Sequence, residues 1–114
     1  MLKGLGAMGD MAKMMKAAKE MQAKMGELQE RLETITVTGE AGAGLVRVTA
    51  TAKGELKALE IDPSLFKPEE KEVVEDLILA AVKDALARAQ AKGAEEMQAL
   101  VGELGLPADF KLPF

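Results

Sequence analysis

The sequence predicts an α+β chain: a long helix, a three-stranded antiparallel sheet and a second long helix, in that order, within one domain spanning 1–114. Three observations predict it. Apolar residues recur three and four apart through residues 11–35, alternation every second residue takes over across about 34–61, and helical spacing returns from about 68. A chain of this size buries only about two-thirds of its unfolded surface, so a self-sufficient core has a thin margin.

The first helix is expected over about residues 8–33. Met11, Met14, Ala18, Met21, Met25, Leu28, Leu32 and Ile35 form a seam whose steps alternate three and four without a break, the period of a coiled-coil-like stripe. Lys13, Lys16 and Lys19 fall on the side away from it, with Met15 and Lys24 flanking. In "TITVTG", Ile35 and Val37 alternate with threonines, which reads as a strand. The glycines of "EAGAG" suit a hairpin turn into "LVRVTATA", where Val46, Val48 and Ala50 alternate with polar residues. "KGE" reads as the next turn, and "LKALEI" as a third strand whose face is ambiguous, because Leu56 and Leu59 fall on opposite sides of a regular strand. The second helix region, about 68–101, opens at Pro68 with Glu69, Glu70 and Glu72 suiting its positive end, and buries Val74, Leu77, Ile78, Ala81, Ala85 and Ala89. Residues from about 102 to 114, with two prolines and two of the three phenylalanines, read as an extended tail.

Length then suggests shape. Seven-residue strands span roughly 23 Å, whereas a 25-residue helix runs roughly 38 Å. Both helices must overhang the sheet, and the overhang is expected to carry residues near 8–22 of the first and 85–101 of the second. Their apolar stripes need each other or another subunit, so Met11, Met14, Met21, Met25 and Leu28 are expected to pack between helices or across a homodimer, methionine being an adaptable filler. The exposed edges of a three-stranded sheet favour the same solution.

Composition excludes much chemistry. Histidine, cysteine, tyrosine and tryptophan are absent and Ser64 is the only serine, which leaves a carboxylate-based enzyme as the sole catalytic option; the expectation is no enzyme, no cofactor, no metal and no small-molecule substrate. Asp62 and Ser64 of "DPS" read as turn and capping chemistry. No apolar run approaches a membrane span and the first ten residues lack a signal-peptide core, so a cytoplasmic protein without a membrane partner is expected.

Charge is uneven. The net charge is −4, yet residues 1–26 hold five lysines against Asp10 and Glu20. An acidic protein meets a polyanion only through a locally basic surface, and Lys13, Lys16, Lys19 and Lys24, with Arg88 and Lys92 expected near the same tips, are the candidates for contact with DNA phosphates. With no aromatic residue in that helix to stack bases, duplex DNA fits better than single strands.

Four segments in order, "MAKMMKAAKEMQAKMGELQERL", "VTGEAGAGLVRV", "EIDPSLF" and "LPADFKLPF", make the chain resemble the YbaB/EbfC family of bacterial nucleoid-associated proteins nearly end to end. The resemblance implies an α-β-β-β-α protomer, a tweezer-like homodimer with two long projecting helices, and binding to double-stranded DNA in the nucleoid with effects on nucleoid organisation and gene expression. It further implies genes encoded beside recombination-repair and clamp-loader genes, hence partners among DNA-maintenance proteins, a glycine turn at Gly39, Gly42 and Gly44, and a structural loop at Asp62, Pro63 and Ser64. The alternative reading is a protein-interaction module that uses the methionine-rich helix, with DNA association indirect.

Overall fold

The structure is a computed structural model that describes residues 2–105, with side chains from residue 9 onward. A first helix, α1, runs Leu2–Thr34; strands β1 (Thr36–Ala41), β2 (Val46–Thr51) and β3 (Leu56–Ile61) come next; two short 3-10 turns, Pro63–Leu65 and Pro68–Glu70, lead into a second helix, α2, over Lys71–Glu103. The molecule is a rod of 83 × 22 × 17 Å. Helix α1 begins at Leu2 instead of about residue 8, and α2 carries on to Glu103, two residues into the stretch expected to be extended. The rest of that stretch, 106–114, lies outside the described residues.

The β-branched run Thr34–Ile35–Thr36–Val37–Thr38 ends α1, since such side chains fit a pleated strand better than a helix. Strands pair antiparallel in the order β1-β2-β3. In the first hairpin, Gly42, Ala43 and Gly44 all take positive φ (63, 57 and 90°), and the Leu45 amide donates to the Gly42 carbonyl; two glycines make three successive left-handed residues accessible. Gly39, expected in this turn, instead lies within β1 and is buried beneath α2.

The face of β3 is settled by a bulge. Leu59 pairs with Val48 and Leu56 with Ala50, the register slipping by one between Thr49 and Ala50. The extra residue returns Leu56 to the side that Leu59 occupies, so both leucines face the same way as Val48 and Ala50.

That face carries α2. Val46, Val48, Ala50, Leu65, Ala81 and Ala85 form the main core, flanked by Val37, Ala41, Ile61, Val74, Leu77, Ile78 and Val82. An alanine stripe at 81, 85 and 89 lets the helix backbone approach β1 closely. The opposite sheet face is polar, with Arg47 3.5 Å from Glu40 across the strands. Thr51, fully buried, is satisfied at the second turn: its hydroxyl accepts from the Glu55 amide at 3.2 Å.

Asp84 ties the helix to the edge strand. One carboxylate oxygen accepts from the Glu40 amide at 3.0 Å and from the Arg88 guanidinium at 3.1 Å. Those bonds, the Glu40 amide foremost, hold its carboxyl below the ordinary aspartate value of 3.8. A carboxyl lowered in the folded state stabilises the fold above its unfolded value and loses that contribution as pH falls through the lowered one. Urea midpoints measured at stepwise lower pH should therefore fall less steeply below pH 3.8 in Asp84→Asn than in the parent chain.

A second cluster lies where the helices leave the sheet: Leu28, Leu32, Ala52 and Leu100, with Met25, Ile35, Met97 and Leu104 around them. Arg31 meets Glu96 at 2.7 Å and Lys24 meets Glu103 at 3.7 Å, which fixes the two helices antiparallel. The overhang is unequal and differs from the expectation of two matched tips. Residues 81–89 of α2 lie on the sheet, residues 96–104 pair with α1, and beyond Lys24 no other described element accompanies α1.

Candidate nucleic-acid interface

Beyond the reach of α2, every described residue of α1 from 9 to 20 is exposed, and Met21 is the first to be half-buried. This arm presents Lys13, Lys16 and Lys19. Steps of three residues on a helix advance about 4.5 Å and turn back about 60°, so the three ammonium groups cover an arc of about 120° over about 9 Å of axis. Among the described residues none of the three makes an ion pair, whereas every other basic residue named as a DNA contact has a carboxylate partner.

Lys24 lies 3.8 Å from Glu27 and 3.7 Å from Glu103. Arg88 is bound to Asp84, and Lys92 lies 3.7 Å from Glu95 and 3.9 Å from Glu96. Position separates them further. With Arg31 level with Glu96, helical rise puts Lys92 about 33 Å and Arg88 about 39 Å from Lys13 along the rod. The expectation that Arg88 and Lys92 share the tip with the lysines is therefore corrected: α2 runs toward the arm, and these two residues lie early on that path, over and just past the sheet.

The methionine stripe divides at the same boundary. Leu28 is buried and Met25 packs beside it against α2. Met11 and Met14, together with Met15, are 63, 70 and 61 % exposed, with no other helix against them among the described residues.

A second surface escaped the sequence. On α2, Leu79 and Leu86 are 59 and 40 % exposed, and Leu56 and Leu59 of β3 are 53 and 50 % exposed. Between them runs an apolar groove lined by Val48, Leu56, Ala58, Leu59, Ile78 and Val82. The signal was present: Leu79, Val82 and Leu86 are spaced three and four apart, a second stripe beside the alanines.

The Asp62 carboxylate accepts from the Ser64 amide at 2.9 Å and caps the turn at Pro63. Among the described residues no group of three or more carboxylates is placed to hold a metal ion, and no helix is long and apolar enough to cross a membrane.

Comparison with known proteins places the chain among relatives. Residues 8–104 match the YbaB/EbfC DNA-binding family. A nucleoid-associated protein of Granulibacter bethesdensis is 53 % identical over 107 residues, covering 94 % of this chain and all of its own. One from Brucella anthropi is 51 % identical over the same length and coverage. The crystal structure of an uncharacterized protein from Helicobacter pylori superposes with a TM-score of 0.70 at 24 % identity, covering 80 % of this chain and 96 % of that one, and shares the fold.

Proposed function

This chain belongs to the YbaB/EbfC DNA-binding family, and from that premise we propose that it is a nucleoid-associated protein whose homodimer holds duplex DNA by its phosphates through Lys13, Lys16 and Lys19. The observation that carries the reading is the exposed arm: three lysines without carboxylate partners among the described residues, while Lys24, Arg88 and Lys92 are engaged in ion pairs. Concentrating positive charge at a protruding end lets a chain of net charge −4 approach a polyanion without bringing its acidic body close. Contacts of this kind position a protein on the duplex and carry no base readout. Spread along a chromosome, such binding organises the nucleoid and alters the access of transcription to it. The role is one of binding and needs no catalytic group.

Two arms are required for useful affinity, since linked sites bind far more tightly than one. The apolar groove between α2 and β3 supplies the reason to dimerise. It leaves Leu56, Leu59, Leu79 and Leu86 open to water along one side of the sheet–helix sandwich, and a second copy would bury them. Leu59→Glu is expected to shift sedimentation from dimer to monomer. A variant that stays dimeric at micromolar concentration would move the interface elsewhere.

Fluorescence anisotropy of a labelled duplex across several salt concentrations tests the proposal. Binding that weakens linearly on logarithmic axes supports phosphate contact. Binding that ignores salt would favour the second reading, a protein partner or apolar contact at exposed Met11, Met14 and Met15, with DNA association indirect.

A further inference from the structure

Histidine, cysteine, tryptophan and tyrosine are absent, which leaves methionine as the residue type that a peroxide attacks in this chain. Six of the eight methionines have described side chains, and they fall into two groups. Met25 and Met97 pack against the Leu28 and Leu100 cluster, and Met21 is half-buried. Met11, Met14 and Met15 are each more than three-fifths exposed. Oxidation of a thioether follows its exposure to the oxidant, so the two groups differ in susceptibility by position alone.

Positions 11, 14 and 15 also lie together, within an arc of about 100° and about one turn of helix. Met11 is three and four residues from the other two, the spacings at which apolar side chains meet on an exposed helix and support it. With every described residue from 9 to 20 exposed, such local pairs are the packing this stretch has. The same stretch carries Lys13, Lys16 and Lys19, and Lys19 follows Met15 by four residues and about 40° of rotation.

We propose that Met11, Met14 and Met15 are a modification site, oxidised by peroxide to sulfoxides that loosen the arm's hold on duplex DNA; the loosening rests on the phosphate contact proposed above. The thioether sulfur attacks one oxygen of hydrogen peroxide, and the O–O bond breaks as the S–O bond forms. The proton on the transferred oxygen passes to the departing hydroxide, which leaves as water. Sulfur gives up two electrons and the peroxide receives them. The product is a polar, chiral side chain in place of an apolar one. At positions 11, 14 and 15 it replaces the apolar pairs, and at 15 it adds an acceptor one turn from the Lys19 ammonium, in competition with phosphate. A dithiol acting through methionine sulfoxide reductases reverses the step, the sulfoxide oxygen leaving as water while the dithiol becomes a disulfide. Met25 and Met97 are shielded by their cluster, so the arm is modified while the helix pair behind it keeps its packing.

Limited treatment of the full chain with hydrogen peroxide, followed by tandem mass spectrometry of protease fragments, should show oxygen added to Met11, Met14 and Met15 several-fold faster than to Met25 and Met97. Equal rates in the two groups overturn the site. Once the three are modified and Met25 and Met97 are not, anisotropy with a labelled duplex should show affinity reduced several-fold, and methionine sulfoxide reductases A and B with dithiothreitol should restore it. Unchanged affinity at that stage overturns the proposal. The chain carrying Met11→Leu, Met14→Leu and Met15→Leu should bind as the parent does and keep its affinity through the same treatment. If it loses affinity as the parent does, oxidation elsewhere is responsible and the proposal falls. Failure of the phosphate reading shows separately, before any peroxide is added, as an untreated chain whose binding ignores salt, and the coupling to DNA falls with it.

Discussion

Replacing Lys13, Lys16 and Lys19 together by glutamate is expected to abolish duplex binding at physiological salt while fold and oligomeric state survive. All three side chains are exposed on the arm and none has an ion-pair partner among the described residues, so their loss removes no contact that holds the chain together. Each phosphate neutralised contributes roughly 0.9 to the slope of log affinity against log salt. Three per arm amount to roughly 2.7, which between 50 and 200 mM salt is roughly a 40-fold change in affinity from one arm. Alanine at the three positions alters both arms of the proposed dimer and should flatten the slope by roughly twice that, about 5.4; glutamate adds repulsion. Anisotropy with the labelled duplex measures both. An unchanged slope in a folded triple variant would remove phosphate contact from this face of the arm, and a strong loss in Arg88→Ala would relocate it to the body.

The second large effect concerns stability. Gly39→Val is expected to separate α2 from the sheet or prevent folding. A Cβ built on Gly39 would collide with the Ala85 backbone nitrogen and would stand 2.6 Å from the Ala81 carbonyl oxygen and from the Ala85 Cα. These are backbone atoms in the middle of a long helix, so no side-chain rotation relieves the clash. Forcing extra volume into a packed core costs about 1–3 kcal/mol when side chains can adjust, and here they cannot, so the loss should reach or exceed the top of that range. Against a domain stability of about 5–15 kcal/mol, urea midpoints should drop severely. Gly93→Ala is the contrast, since its Cβ would sit 3.4 Å from the Ala52 carbonyl oxygen and replaces glycine by a better helix former. A Gly39→Val chain as stable as the parent would mean that helix and strand are not in contact in solution.

The order of elements was legible because the period changes twice, from the three-four steps ending at Ile35 to alternation and back at Val74. The face of β3 was not, because alternation assumes one residue per register step and the bulge beside Thr49 breaks that assumption without a glycine or proline to announce it. Gly39 reads as a turn residue only while its neighbours are those of the sequence; its partner, the alanine stripe at 81 and 85, lies more than forty residues away. The lysines of the arm were legible as a basic strip, but their separation from Arg88 and Lys92 depends on the register of α1 against α2. That register is set by Arg31 with Glu96 and Lys24 with Glu103, pairs that local pattern does not reveal.

The arm has an energetic consequence of its own. Residues 9–20 are all exposed, so backbone hydrogen bonding and side-chain propensity do most to keep them wound, and an isolated helix of that length is marginal in water. Continuity with the packed part of α1 removes the need for a separate nucleus, so winding proceeds outward from Met25 turn by turn. On the proposed phosphate contact, a polyanion held at Lys13 would also favour the wound state of these turns. Substitutions that raise helix propensity, such as Gly9→Ala, whose Cβ would meet nothing within 4 Å, would tighten the grip on DNA without adding a single contact to it.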